Sequence, residues 1–154
     1  MTKTSKALDG LKILDFSHLL AGPFATQILG DFGANVFKIE RAKVGDDFRR
    51  WNFFNKKVGG YTSASYMAWN RNKRSIALDL KKPEAKEIIY KMSETCDVVI
   101  QNFRPGVMAK RGFGYEDFKK INPKIIYCNG SGYGKSGPYV DRPGQDLLLQ
   151  GISG

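Results

Sequence analysis

The sequence predicts an α/β fold with a doubly wound, mainly parallel sheet. Three observations predict it. Short apolar runs of strand length alternate with helix-length patterns along the 154 residues. The resulting strand–helix–strand unit recurs, and that unit forces its two strands to run parallel with the helix packed across them. A composition of 42% apolar and 12% aromatic residues is enough for one domain with a real core and argues against disorder.

The elements follow in order. LKILDF (11–16) is a short apolar strand, GPFATQILGDFG (22–33) a helix of small and apolar residues, and NVFKIE (35–40) a second strand. SIALDL (75–80) is a third strand. PEAKEIIYKMSETC (83–96) is a helix with Pro83 suited to its first turn, and DVVIQNF (97–103) is the fourth strand. A weaker helix over 105–121 is broken by Gly112 and Gly114, and KIIYCNG (124–130) gives the fifth strand. Residues 41–74 form a long, less regular connection, with a surface loop and then a helix near 61–70. The plan is doubly wound, without internal repeats or low-complexity tracts.

Charge narrows the partners. With 25 basic and 15 acidic residues the chain carries +10, a field that attracts anions. The basic residues are spread along the chain without a dense stripe or a nucleic-acid module, so a phosphate-bearing small molecule is expected and nucleic acid is not. No run of eighteen apolar residues occurs, and MTKTSKALDGLK lacks the apolar stretch of an export signal. A cytoplasmic protein without a membrane partner is therefore expected. Cys96 and Cys128 lack metal-site spacing and are expected to be reduced core residues, and no metal site is expected.

In open parallel sheets ligands bind beyond the carboxyl ends of the strands, so chemistry is sought in those loops. The first carries His18, the only histidine, and a helix start at Gly22-Pro23 with backbone N–H groups available to an anion. The second carries Glu40-Arg41. Glu40 imitates the ribose-binding acid of dinucleotide folds, but the first loop lacks G-x-G-x-x-G, which argues against nicotinamide or flavin. Arg41 can meet a phosphate or stack on an adenine ring, whereas Arg49 lies in a loop without that placement. Lys81-Lys82 follows the third strand. Asn102-Phe103-Arg104 follows the fourth, giving an amide, an aromatic face and a guanidinium within one turn. GSGYGKSGP (130–138) is one residue short of a P-loop and is expected to be a mobile loop over a site.

Five segments in order, LDGLKILDFSHLLAGPFATQILGDFGANVFKIER, NRNKRSIALDLKKPEAKE, DVVIQNFRPGVMAKRGFGYEDF, NPKIIYCNGSGYGKSGPY and RPGQDLLLQGISG, resemble the N-terminal part of the family III CoA-transferases. That family includes formyl-CoA and carnitine CoA-transferases, with α-methylacyl-CoA racemases as relatives. The resemblance implies that residues 1–154 are an incomplete, Rossmann-like coenzyme A-binding region of an enzyme that forms intertwined homodimers. It implies an acyl-CoA and a carboxylic acid as substrates and no permanently bound cofactor. By position, His18 and Ala21 would line the thioester end. Arg41, Leu78 and Lys81 would meet the adenosine and phosphates, and Asn102, Phe103 and Lys110 would complete the pocket.

The nucleophilic aspartate of the family would lie beyond Gly154, leaving Asp146 and Gln145 as supporting catalytic residues and the 154 residues alone inactive. A role for Asp146 as the cap of a helix beginning at Leu147 is the structural alternative. Leu20 replaces a glutamine of formyl-CoA transferase, which removes support for formyl or oxalyl specificity. Lys110 replaces an arginine, for which Arg111 can compensate. Gln145 stands where racemases have a histidine base, and glutamine cannot titrate, which favours transfer over racemisation. A racemase and a non-catalytic nucleotide-binding module are the two alternatives.

Overall fold

The structure, a computed structural model, describes residues 5–51, 57–58 and 62–154. Five parallel strands form the main sheet: β1 (Lys12–Asp15), β2 (Asn35–Arg41), β5 (Lys73–Leu78), β6 (Val98–Gln101) and β7 (Ile126–Asn129), in the order β5-β2-β1-β6-β7. The chain builds outward from β1 on one side, then crosses back to build from β1 on the other. The strand order therefore reverses between β1 and β6, and a crevice opens beyond their carboxyl ends. A separate two-stranded ladder pairs β3 (Lys57–Val58) with β4 (Thr62–Ser63), a feature not expected from the sequence.

The helices divide between the faces. α1 (Ala21–Asp31) and α2 (Ala64–Trp69) cover one face; α3 (Pro83–Ser93), α4 (Val107–Lys110) and α5 (Tyr115–Ile121) cover the other. The α3–α5 face holds the larger apolar core, where Leu14, Phe16, Ile39 and Val99 meet Ile89, Met108, Phe113 and Phe118. Phe113 and Phe118 stack at 6.3 Å, and Tyr90 packs edge-on to both at 6.2 Å. Between α4 and α5 the chain turns at Gly112, in the left-handed region at φ 77°, a backbone that glycine adopts without steric cost. Tyr90 and Tyr127 donate hydroxyl hydrogen bonds to the carbonyls of Gly112 and Phe113 and pin this turn.

The α1 face differs. Its apolar part, Ile13, Val36 and Val98 against Ala34 and Leu29, occupies the half of the sheet nearest the strand starts. Toward the strand ends the same face turns polar. Asp15, Lys38 and Ser75 stand in register on three adjacent strands, and Glu40 and Lys73 lie on the same side.

The elements match the expected ones to within two or three residues at most boundaries, and the broken helix over 105–121 divides at its glycines. The helix expected near 61–70 is α2, while residues 52–56 and 59–61 of that connection lie outside the described residues, as do 1–4. One expectation fails. Cys96 is buried, but Cys128 is exposed on β7, the last strand of the sheet order, which is paired with β6 alone among the described residues.

Candidate functional site

The loops that form the crevice are anchored from the α1 face. Asp15, at the end of β1, is fully buried and accepts hydrogen bonds from Ser17 N–H (2.9 Å), the Ser17 hydroxyl and Thr26 Oγ1 (2.6 Å). Lys73 Nζ sits 3.1 Å from it and also donates to Pro23 O (2.8 Å) and Asn70 Oδ1 (3.0 Å). Burial pushes Lys73 down to about 8, although Asp15 pulls the other way. This cluster ties the start of α1 to the sheet. Gly22 completes the fit, because a Cβ there would collide with the Ser17 side chain.

Lys38, with no exposed surface, donates to Ser17 O (2.9 Å) and pairs with Asp46 at 2.9 Å. Asp46 in turn accepts from the N–H groups of Phe48 (2.9 Å) and Leu19 (3.3 Å). One buried ion pair therefore joins the loops that follow β1 and β2. From the opposite side, Asn102 accepts from His18 N–H and donates to His18 O, each at 2.9 Å. Phe103 meets the His18 ring edge-on at 5.0 Å. Leu19 is left at φ 65°, a conformation that a non-glycine residue keeps only when its surroundings enforce it.

Two cavities open on this framework, with Phe103 between them. The first, about 400 Å³, is walled by His18, Phe16, Ile39, Leu78, Leu80 and Phe103, with Arg41, Lys43, Lys81 and Arg111 at its edge. The second, about 610 Å³, lies where the N-terminus of α1 (Ala21, Gly22, Ala25) faces Asn102–Pro105, Cys128–Tyr133 and Arg142–Gly144. The expected site residues divide accordingly. His18, Arg41, Leu78, Lys81 and Phe103 line the first cavity; Ala21, Asn102 and Phe103 line the second. Lys110 lines neither, because α4 directs Arg111 to the first cavity in its place.

The glycine-rich segment crosses the second cavity and is fixed to the Pro143-Gly144 turn by close approach of Gly132 and Gly144, where any side chain would clash. Beyond that turn runs α6 (Asp146–Ser153). It begins at Asp146 with Gln145 as its first flanking residue, so Asp146 is not the cap considered from the sequence. Its carboxylate instead accepts from Gln150 Nε2 at 2.8 Å. Gln145 and Asp146 are both exposed and lie beside the second cavity, outside its lining.

The reading of one loop residue is corrected here. Glu40 is enclosed: 2% exposed, it accepts from Arg49 Nε and Nη2 (2.7 Å each), Tyr66 (2.8 Å), Ser75 (2.6 Å) and Asp46 N–H (2.9 Å). Arg49 is accordingly no spare loop arginine, but the bidentate partner of that buried acid. Arg41 is the exposed one of the two, half open to solvent and paired with the equally open Asp47. Lys38 and Asp46 were the residues missed. The available signal was a lysine in the middle of an otherwise apolar strand, which can be buried only with a paired acid.

Among the described residues no group of three or more His, Cys, Asp or Glu side chains could hold a metal ion, and no helix is long and apolar enough to cross a membrane. The model of CoA-transferase family III matches residues 8–154. The chain belongs to that family. It is 46% identical over 149 residues to the succinyl-CoA:glutarate CoA-transferase of Homo sapiens, an alignment covering 97% of this chain and 33% of that protein. It is 43% identical over 157 residues to the succinate–glutarate CoA-transferase of Agrobacterium fabrum, covering 100% and 39%. Among solved structures, a CaiB/BaiF family protein from Brucella suis superimposes with a TM-score of 0.87 at 40% identity, covering 97% of this chain and 39% of the other. The chain thus spans between a third and two-fifths of the length of these relatives.

The Glu40 cluster sets an acid limit on the fold. Burial alone would raise the Glu40 pKa, but hydrogen bonds from Arg49, Ser75, Tyr66 and the Asp46 N–H outweigh it and hold the group at about 2. Its folded value is lower than its unfolded one. The stabilisation is therefore complete above the unfolded value and is lost as pH falls from about 5 toward about 2. Thermal unfolding should show a midpoint that declines over this range, and declines less steeply in Glu40→Gln. Arg49→Ala, which leaves the acid buried without its main partner, should lower stability by about 2–4 kcal/mol in urea unfolding. An unchanged acid slope in Glu40→Gln would contradict this account.

Proposed function

We propose that residues 1–154 form the coenzyme A-binding part of a longer acyl-CoA:carboxylate CoA-transferase. The observation that carries the reading is the first cavity. An imidazole, an aromatic face, aliphatic walls and three of its basic side chains, Arg41, Lys81 and Arg111, come together at the ends of successive parallel strands. Coenzyme A combines an adenine ring, phosphates and a long polar chain ending in a thiol, and each part has a matching surface here. Arg41, Lys81 and Arg111 would meet phosphates, Leu78 the adenosine, and His18, Phe103 and Ala21 the chain leading to the thioester. The dinucleotide alternative loses its acid, since Glu40 is enclosed.

The chemistry proposed is covalent. An aspartate carboxylate outside residues 1–154 attacks the acyl-CoA carbonyl, forming a mixed anhydride and expelling the CoA thiolate. The thiolate then attacks the aspartyl carbonyl of the anhydride, releasing the first acid and leaving an aspartyl-CoA thioester. The acceptor carboxylate attacks that thioester, forming a second anhydride and expelling the CoA thiolate, which then attacks the acceptor's acyl carbonyl, giving the new acyl-CoA and the original aspartate. Asp146 would act from the side as a fixed negative charge, and Gln145 as a neutral hydrogen-bonding group that cannot serve as a racemase base. The same reading takes the enzyme as an intertwined cytoplasmic homodimer with no permanently bound cofactor, and with no nucleic acid or membrane partner.

Calorimetry should give tighter binding of coenzyme A than of NAD or ATP. Arg41→Ala should weaken coenzyme A binding by about 1–3 kcal/mol, whereas the exposed α3 variant Lys91→Ala should leave it unchanged. Equal losses in both would mean that only the overall positive field matters. Hydroxylamine added to the full-length enzyme with acyl-CoA should modify an aspartate outside residues 1–154, located by peptide mapping. Modification at Asp146 would overturn its supporting assignment.

A further inference from the structure

His18, which lines the first cavity, faces Asp46. The imidazole Nδ1 and Asp46 Oδ2 are both buried and lie 3.8 Å apart; Nδ1 has no hydrogen-bond partner, and Oδ2 meets only the Lys38 ammonium, at 2.9 Å. That distance is too long for a hydrogen bond but within a small side-chain adjustment of one. The surroundings leave the ring few other places to go. Asn102 grips its backbone on both sides, Phe103 stands edge-on at 5.0 Å, and the next residue, Leu19, donates its N–H to Asp46. Asp46 is fixed in turn by Lys38 at 2.9 Å, by Phe48 N–H at 2.9 Å, and by its own N–H on Glu40 at 2.9 Å.

A lone carboxylate beside an imidazole draws a second proton onto the ring. Here Lys38 already balances that carboxylate. The charged groups acting on His18 are Asp46, Lys38, Arg41 and Asp15; burial, the largest influence, lowers its pKa, with Lys38 and Arg41 reinforcing burial against the two acids. The ring is therefore neutral at pH 7 and carries one proton. On Nδ1 that proton points at a carboxylate oxygen. On Nε2 it would leave two acceptors, the Nδ1 lone pair and Oδ2, facing each other in a buried site.

We propose that Asp46, held by Lys38, is a positioning residue that fixes His18 as the neutral Nδ1–H tautomer, leaving the Nε2 lone pair to the cavity as a hydrogen-bond acceptor for the ligand. No proton is transferred in this role. Under the coenzyme A reading, Nε2 accepts from an amide N–H of the pantetheine chain or from the thiol. That half of the inference rests on the proposed function, while the tautomer does not.

His18 is the only histidine in the sequence, so its imidazole nitrogens can be observed directly. Long-range proton–nitrogen spectra of the histidine-labelled protein, assigned with His18→Gln, should show the Nδ1–H form at pH 7 to 8. In the double variant Lys38→Met/Asp46→Leu, which replaces the ion pair by apolar side chains, the spectrum should change to the Nε2–H form that imidazole prefers in water. Coenzyme A affinity of that variant should fall about three- to tenfold. An Nε2–H signal in the wild-type protein overturns the proposal without recourse to any variant, as does an Nδ1–H signal that survives in a folded double variant. Wild-type protein that shows Nδ1–H but binds no coenzyme A contradicts the proposed function and leaves the positioning role intact.

Discussion

Six charges under α1 and α2 have to be buried together or not at all. Asp15, Glu40 and Asp46 face Lys38, Lys73 and Arg49 on one side of the sheet, and every one of them has a partner of opposite sign within hydrogen-bonding distance. Removing charges from water is costly, and the attraction between them offsets that cost only where the geometry is good and remaining polar atoms are also satisfied. The three pairs meet that condition with help from Thr26, Ser17, Tyr66 and Ser75. Such a layer adds less to stability than an apolar core of equal volume would. Its effect is to permit one arrangement of the loops above it.

The location of the layer makes that restriction useful. It lies at the carboxyl ends of β1 and β2 and against the first half of β5, beside the point where strand order reverses, so the loops it fixes are those that form the crevice. Lys38 and Asp46 hold the His18 loop from the β2 side while Asn102 holds it from the β6 side. The opposite face of the sheet carries the apolar packing of Phe16, Phe113 and Phe118 and sets the overall fold. Folding and loop positioning are thus assigned largely to opposite faces of the same strands. Arg41, Lys81 and Arg111 stay at the rim, near solvent, where an anion can reach them without a buried charge being uncovered.

The fold was legible in the sequence because strand and helix periods are local properties. KILD, NVFKIER, VVIQ and IYCN all announce themselves by apolar runs of the right length, and the glycines at 112 and 114 mark the break between α4 and α5. The strand-end rule was enough to point to His18, Arg41, Lys81 and Phe103. The buried charges were not legible, because pairing between Lys38 and Asp46, or between Glu40 and Arg49, depends on the path of a loop rather than on spacing. For the same reason Arg49 looked dispensable and Glu40 looked exposed to ligand. Lys110 and Arg111 could not be ranked from sequence, since a single step along α4 decides which one turns to the cavity.

The proposed function places coenzyme A in the crevice between the loops of β1, β2, β5 and β6. A crystal structure of the full-length enzyme with bound coenzyme A tests it most directly. The adenine and phosphates should then lie in the first cavity beside Arg41, Leu78 and Lys81, with the pantetheine chain passing His18 and Phe103 toward Ala21. Coenzyme A bound elsewhere, with this cavity filled by solvent and the Lys38–Asp46 pair far from the ligand, would contradict it.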